Sequence, residues 1–354
     1  MRYTKPLTLT ALALLMSAGL LTQSAMAQSQ SGQELVIENF IGTIKWSNAS
    51  DIIQVLKQDN VKGLSLYEGD SFIIDGGIEK PNGNKCEGYY GSYDLNFFKK
   101  KSQGNFGGYE DLNEYPTLSL SLPNNTQLVV RNAIVFTEGE PDMASANLQL
   151  KSCGKVNIGN VSGDVRLESE GAADLTLLDA GSIHSEVSGS SDIKAKKVGY
   201  LQSEGRGSGD ITIEEVTTLN VEISGSGDLE VETLLGNADI ESSGSGDVDI
   251  ANISGELDYE GAGSGDLSID EIGVEGPRDA SLKSAGSGDI DINDGTIAYL
   301  TINVSGSSNA DIDAIVEDVV AGASGSSDIY IDTVTGSAEQ KSSGSSDIKI
   351  DNRN

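Results

Sequence analysis

The sequence predicts an all-β protein, a β-solenoid with about 18–19 residues per turn. A four-residue phrase, Gly-Ser-Gly/Ser-Asp, returns at nearly constant intervals through the second half of the 354-residue chain. Apolar residues then occupy the first, third and often sixth positions after the Asp, as at Ile211, Ile213 and Val216. The first two alternate with polar residues, which is the period of a strand rather than of a helix.

The last residues of these phrases define a column along the chain. Successive members are 18 to 20 residues apart, except for one interval of 23 that coincides with an insertion at 276–279. A repeat this short cannot bury an apolar face alone, so its copies must stack and share one core. Glycine-rich corners suit the tight bends that a coil requires. The column consists of Asp174, Asp192, Asp210, Asp228, Asp247, Asp266, Asp289, Asn309, Asp328 and Asp347.

Residues 1–27 have the pattern of a secretory signal peptide. Arg2 and Lys5 precede an apolar run over residues 7–21, and Ala25-Met26-Ala27 provides a small-residue cleavage site. The run is shorter than the roughly 20 residues of a membrane helix, and no later segment is apolar enough to span a bilayer. We therefore expect an exported protein without a membrane span, located in the periplasm or at the cell surface.

The chain is strongly acidic, with a formal net charge of −32. This charge excludes nucleic acid as a natural partner. Like charge also protects a long β-surface from edge-to-edge aggregation. An acidic recognition surface is the alternative explanation.

The chain has two cysteines, Cys86 and Cys153. In an exported protein they are candidates for one disulfide, and two buried thiols are the alternative. Neither interpretation indicates catalysis.

Composition divides the exported chain into three parts. Residues 28–80 have the pattern of short strands that begin and cap the solenoid, with Trp46 expected in the core. Residues 81–115 form a long aromatic and Gly-rich loop, here called the aromatic excursion. Residues 116–354 form the repetitive solenoid.

The aromatic excursion holds eight of the chain's 18 aromatic residues, together with Lys99-Lys100-Lys101. Long loops on a rigid scaffold often carry function, and Tyr can stack on a sugar or fill a partner's pocket. Packing of these aromatics onto the coil is an equally good interpretation. For binding to a glycan or a cell-surface protein, the candidate residues are Tyr89, Tyr90, Tyr93, Phe97, Phe98 and Tyr109.

The column of aspartates is the strongest candidate for chemistry. Carboxylates on adjacent coils would lie about 5 Å apart and repel by about 1 kcal/mol per pair in water. Ca²⁺ between the coils would relieve this repulsion. We favour the simpler interpretation, in which each Asp caps its turn by accepting a backbone N–H and no cofactor is needed. The calcium alternative would use Asp192, Asp210, Asp228, Asp247 and Asp266.

The residues give little support for an enzyme. His184 is the only histidine, and we expect it at an exposed strand position. Glycine-rich phrases such as residues 205–209 precede strands, so they lack the helix N-terminus of a phosphate site. A polysaccharide-active β-helix enzyme is an alternative by fold analogy alone, because the acidic residues recur evenly without a distinct cluster.

The opening strands, residues 117–123 (Thr-Leu-Ser-Leu-Ser-Leu-Pro) and the Ser-Gly-Ser-Gly-Asp copies resemble the head GIN domain family (DUF2807). These are bacterial envelope proteins often described as auto-transporter adhesins. The resemblance spans nearly the whole mature chain. It implies a right-handed, single-stranded parallel β-helix outside the cytoplasm, and it brings no catalytic motif. The expected function is therefore that of a non-enzymatic cell-envelope solenoid, an adhesin or ligand-binding scaffold, and its flat faces would also allow a homo-oligomer.

Overall fold

The structure is a computed structural model that describes residues 33–79 and 115–353. All regular secondary-structure elements within these ranges are β-strands. The strands stack as parallel coils into a β-solenoid of about 12 turns, which confirms the predicted fold class. No helix long and apolar enough to cross a membrane occurs in the described ranges. The predicted signal peptide lies outside them.

Twenty-three strands are described. The N-terminal strands are β1 (Glu34–Glu38), β2 (Ile41–Ser47), β3 (Gln54–Asp59), β4 (Ser65–Glu68), β5 (Ser71–Asp75) and β6 (Thr117–Ser121). The strands of the repetitive part are β7 (Gln127–Glu138), β8 (Ser145–Asn157), β9 (Val161–Gly189), β10 (Ile193–Gly207), β11 (Ile211–Gly225), β12 (Leu229–Leu234), β13 (Ala238–Gly244), β14 (Val248–Ile253), β15 (Leu257–Gly263), β16 (Leu267–Ile272), β17 (Arg278–Gly286), β18 (Ile290–Ile292), β19 (Thr296–Gly306), β20 (Ala310–Gly325), β21 (Ile329–Val334), β22 (Ala338–Gly344) and β23 (Ile348–Arg353).

Each repetitive coil crosses two faces that meet at the Gly-Asp corner, which we define as the four-residue phrase ending in a column residue. The pre-corner face contains β13, β15, β17 and β19, which pair in parallel. The post-corner face contains β12, β14, β16 and β18, which also pair in parallel. β11 is long enough to join both faces. The corner therefore recurs at one edge of the solenoid in every coil.

The apolar columns predicted from the repeat are buried. Ile211, Ile213 and Val216 all lie in the core, and so do their counterparts in the next coils. One apolar cluster runs continuously from Leu35 to Val334. Each coil thus buries its apolar side chains against its neighbours, as a short repeat requires.

The insertion at 276–279 follows β16. The chain turns between Gly273 and Gly276, where the Gly276 N–H donates to the Gly273 carbonyl at 2.8 Å. β17 then pairs with β19 through a bulge between Arg278 and Ala280. The long interval in the repeat is therefore accommodated by an extra turn after β16 and by a bulge at the start of β17.

The N-terminal coils do not stack in sequence order. β1 pairs with β5 on one side and β7 on the other, and β2 likewise lies between β6 and β7. The coil that contains β5 and β6 is therefore outside the coil that precedes it in the chain. β3 and β4 add antiparallel strands at this end. Trp46 is buried in β2 and donates its indole N–H to the Gly139 carbonyl at 3.1 Å, which confirms its place in the core.

Candidate functional site

The column residues form a hydrogen-bonded ladder at the Gly-Asp corner. The Oδ1 atom of Asp210 accepts the Asp228 backbone N–H at 3.1 Å, and Asp228 accepts that of Asp247 at 2.9 Å. The same contact links column residues from Asp174 to Asp347 over 2.7 to 3.5 Å. The predicted acceptor role is therefore present. The donor differs from the expectation, because it belongs to the next coil and not to the turn of the Asp itself.

Glycine makes this close stacking possible. A Cβ added to Gly244 would lie 2.0 Å from the Gly225 carbonyl oxygen, and Gly244 has a φ of 146°. The next residue, Ser245, donates its N–H to the same carbonyl at 2.7 Å. A side chain at this position would therefore separate two coils that a hydrogen bond holds together.

The corner takes two backbone forms that follow its sequence. In the Gly-Ser-Gly-Asp copies the first glycine has a φ between 145° and 153°, as at Gly225. In the Gly-Ser-Ser-Asp copies it lies between 87° and 117°, as at Gly325. The added serine side chain points inward, since Ser308 and Ser327 are fully buried. The third residue of the phrase thus selects the shape of the corner.

Burial and like charge raise the pKa of several carboxyls near the ladder. The pKa of Asp174 rises to about 6, first because the group is removed from water and second because Asp192 is close. On the post-corner face, burial is also the largest cause of the raised pKa of Asp249, Asp291 and Asp311, with neighbouring carboxylates adding to it. These groups favour the protonated form more than an exposed Asp does.

The ladder is the site of the calcium alternative. One oxygen of each column Asp accepts an amide, so that oxygen is already committed to the backbone. Among residues 33–79 and 115–353, no group of three or more His, Cys, Asp or Glu side chains is arranged to hold a metal ion. Calcium binding stays a prediction of the sequence.

An open groove crosses the outside of the last coils. It gathers Asp291, Asp311, Tyr330 and Lys349 beside the column residues Asp289, Asn309, Asp328 and Asp347. Its one basic group is already engaged, because the Lys349 ammonium lies 2.5 Å from Asp351 and 4.8 Å from the centre of the Tyr330 ring. The sequence did not single out this cluster, because its members lie one coil apart and only the period brings them together.

His184 is half-buried on the pre-corner face, rather than exposed as expected. Its ring meets Tyr200 edge to face, with the ring centres 5.7 Å apart. Ser182 donates its hydroxyl to Asp164 at 2.6 Å, and its Oγ lies 3.5 Å from His184 Nδ1. The carboxylate therefore holds the serine and does not orient the imidazole, which is not the arrangement of a Ser-His-Asp triad.

The candidate binding residues Tyr89, Tyr90, Tyr93, Phe97, Phe98 and Tyr109 lie outside the described residues. The attachment points of the aromatic excursion are described. β5 belongs to the pre-corner face and β6 to the post-corner face, so both attachment points lie at the same edge as the ladder. The two attachment points and the column thus lie at one edge.

A second apolar cluster lies at the base of the excursion. Ile41, Ile134, Phe136 and Cys153 are buried together, and Ile78 and Tyr115 pack against them from the two ends of the excursion. Cys153 is disulfide-bonded. Cys86 lies outside the described residues, so the Cys86–Cys153 pair stays a prediction. The base of the excursion is fixed to the coil by apolar packing.

The sequence reasoning missed an asparagine ladder that continues the corner toward the N-terminus. Asn39 and Asn132 both have positive φ, 50° and 48°, and Asn132 donates its side-chain amide to Asn39 Oδ1 at 2.8 Å. Asn39 in turn donates to Asp75 at 3.4 Å. The only available signal was an Asn at the corner position, and the sequence separation of 93 from Asn39 to Asn132 conceals the repeat.

A family model described as Toastrack DUF4097 matches residues 99–293 of the chain. No curated protein and no solved structure matches the chain. The matched range covers the first copies of the Gly-Asp corner and the insertion after β16.

Proposed function

Because the chain belongs to the Toastrack DUF4097 family, we propose that its β-solenoid is a non-enzymatic scaffold of the cell envelope. The protein is exported and acts in the periplasm or at the cell surface. Its scaffold presents a ligand-binding or adhesive segment, as the resemblance to the head GIN domain family also implies. Its partner is a glycan or a cell-surface protein.

The ladder is the observation that carries this proposal. The most regular set of chemically active side chains in the described chain serves to join one coil to the next. A carboxylate that holds a backbone N–H in every coil contributes to stacking. This use of the column supports a structural role for the solenoid.

The aromatic excursion is the proposed contact segment. Its base is packed on the coil at Ile78 and Tyr115, and a fixed base lowers the entropy that a loop loses when it binds. Tyrosine rings suit both sugar faces and protein pockets. We assign contact roles to Tyr89, Tyr90 and Tyr93 on the basis of their residue type and position in the sequence.

The test is binding of the purified chain to intact cells and to an array of immobilised envelope glycans. Replacing Tyr89, Tyr90 and Tyr93 together by Ala should weaken binding by about 10-fold or more, since aromatic anchors dominate such contacts. Tyr299→Ala is the matched control, because Tyr299 is exposed on the solenoid itself. Equal binding by the triple variant and the control, with unchanged β-rich circular dichroism, would remove this site assignment.

A separate experiment tests the location. Protease is added to intact cells, and a known periplasmic protein serves as the control for envelope integrity. Digestion of the chain alone supports adhesion at the cell surface. Protection supports a periplasmic scaffold, and retention in the cytoplasmic fraction would overturn the proposal of export.

The groove over the last coils favours one second candidate, a polysaccharide-active enzyme. Asp291 and Asp311 stand in register on adjacent strands, and burial together with neighbouring carboxylates raises the pKa of both, so two carboxyl groups that hold a proton more readily than an exposed Asp lie side by side there. Incubation with acidic glycans would then release reducing or unsaturated ends, and Asp291→Asn would abolish the release. The scaffold proposal predicts no release from the unaltered chain.

A further inference from the structure

Acidic residues are unevenly distributed along the solenoid. No Lys or Arg lies between Arg206 and Arg278, and this stretch contains 18 Asp and Glu residues. It includes β11 to β16 and the turn before β17. We call residues 207–277 the acidic coils.

The parallel register places these acids directly over one another. Side chains on successive coils of a parallel stack are about 4.8 Å apart. On the pre-corner face the result is a column of five exposed glutamates. Its members, in register from coil to coil, are Glu186, Glu204, Glu222, Glu241 and Glu260.

Among the described residues, this glutamate column has cationic partners only near its ends. Arg206 lies 3.6 Å from Glu204, and Lys283 lies 3.3 Å from Glu260. The central members, Glu222 and Glu241, make no ion pair with any described residue. Two like charges therefore face each other in the acidic coils, and neither forms an ion pair with a described residue.

The immediate neighbours of this pair can be named in full from the register. Around Glu222 they are Asn220 and Ser224 on β11, Gln202, Glu204 and Arg206 on β10, and Asp239, Glu241 and Ser243 on β13. Around Glu241 they are Asp239 and Ser243 on its own strand, Asn220, Glu222 and Ser224 on β11, and Asp258, Glu260 and Ala262 on β15. Glu241 thus faces four carboxylates.

The post-corner face of the acidic coils has the same character. Asp249 stands in register between Glu230 and Ser268. Burial raises its pKa, and the charges of Asp247, Asp228, Glu230 and Asp270 raise it further. Both faces of these coils therefore carry unrelieved negative charge.

The preceding coils also contain basic residues, several of which pair with acids or stand over them. Lys151 is paired with Glu170 at 2.8 Å across β8 and β9, and Lys197 with Glu215 at 3.1 Å across β10 and β11. Lys155 stands in register with Asp174. Stacked opposite charges favour the contact between coils, and stacked like charges, such as Glu186 and Glu204 on these same coils, oppose it.

We propose that the acidic coils are a charge-regulated segment of the solenoid. At neutral pH and low ionic strength they are the first coils to unfold locally, and they refold when their carboxylates are protonated or screened. In a stacked repeat each coil contacts only its neighbours, so its stability is set locally. Repulsion in one block of coils therefore weakens that block without weakening the rest. The rigid coils that support the aromatic excursion are unaffected by the same change.

Hydrogen exchange of the purified chain tests this directly. Amide protection is measured at pH 7 in about 10 mM and about 300 mM NaCl, where screening of exposed charges differs strongly. Peptides from residues 211–275 should gain about 10-fold in protection at the higher salt, and peptides from residues 145–205 should change by less than about two-fold. Equal salt effects in the two regions would overturn the proposal.

Two variants identify the charges responsible. Glu222→Gln together with Glu241→Gln should raise the melting midpoint at low salt by about 2–4 °C and reduce the salt effect on residues 211–275. Glu215→Gln is the matched control, because it removes a charge from the same sheet and breaks the ion pair with Lys197. If the control stabilises the protein as much as the double variant does, net charge alone, and not the register of the glutamate column, determines the stability of the segment.

Discussion

Two neighbouring glycines of β10 should respond in opposite ways to the same substitution. A Cβ at Gly205 would have one heavy atom within 4 Å, the Glu222 carbonyl oxygen at 3.9 Å. Gly205 stands in register between Val187 and Ile223 and borders a recess of about 10 Å³. Gly205→Ala should therefore fill space in the folded protein and lower the conformational entropy of the unfolded chain. Together these effects should stabilise the protein by about 1 kcal/mol.

Gly207 lies two residues further on and has no such room. A Cβ there would lie 1.9 Å from the Gly189 carbonyl oxygen, and the φ of Gly207 is 153°. The Gly189 carbonyl cannot move away easily, because it accepts the Ser208 N–H at 2.7 Å. Backbone strain of about 1–3 kcal/mol adds to the steric overlap, so Gly207→Ala should cost about 3 kcal/mol or more.

Thermal and urea unfolding of the two variants, followed by circular dichroism, measures the difference. Gly205→Ala should raise the melting midpoint by about 2–4 °C, and Gly207→Ala should lower it by about 6 °C or more. The two variants share composition, strand and substitution, so they control for each other. Shifts of the same sign would refute the stacking described for the Gly-Asp corner.

Three further predictions concern single polar groups of the corner. Ser327 has a buried hydroxyl without a hydrogen-bond partner among the described residues, so Ser327→Ala should be neutral or stabilise the protein by about 1 kcal/mol. Ser308→Ala loses the hydrogen bond that Ser284 donates at 3.0 Å, so it should destabilise the protein by about 1 kcal/mol. Urea unfolding measures both changes. Asp228→Asn should keep the ladder and the melting midpoint, while Asp228→Ala should cost about 1 kcal/mol because the Asp247 N–H loses its acceptor. The pKa of Asp174 is about 6, above its ordinary 3.8, so the folded state binds this proton more tightly than the unfolded chain does. The resulting contribution to the free energy of unfolding should be fully present below about pH 4 and should be lost as the pH rises to about 6. Asp174→Asn should remove this pH dependence, as unfolding at a series of pH values would show.

The repeating coil could be predicted from the sequence because its information is local. The apolar positions of Ile211, Ile213 and Val216 follow from the strand period, and they are buried as expected. The Gly-Asp phrase marks the corner because only small residues allow two coils to approach so closely. Stacking with a fixed period then places equivalent residues over one another.

The order of the first coils could not be predicted in this way. β1 and β2 lie between the coil of β5 and β6 and the strand β7, and the pairs that fix this order join residues far apart in the chain, such as Thr43 and Thr117. Strand pairing over such distances depends on which apolar faces fit, and the period carries no information about it. The asparagine ladder was missed for the same reason.

Asn309 shows what the column requires of its members. It occupies a column position without a charge, donates its N–H to Asp289 at 2.7 Å and accepts that of Asp328 at 3.2 Å. The ladder therefore needs an oxygen acceptor, which Asn and Asp supply equally. It does not need a negative charge. Since Asn would serve at every position, the aspartates of the column add to the charge of the acidic coils without being required for the corner, and their effect is best sought in solubility and in the salt dependence of those coils.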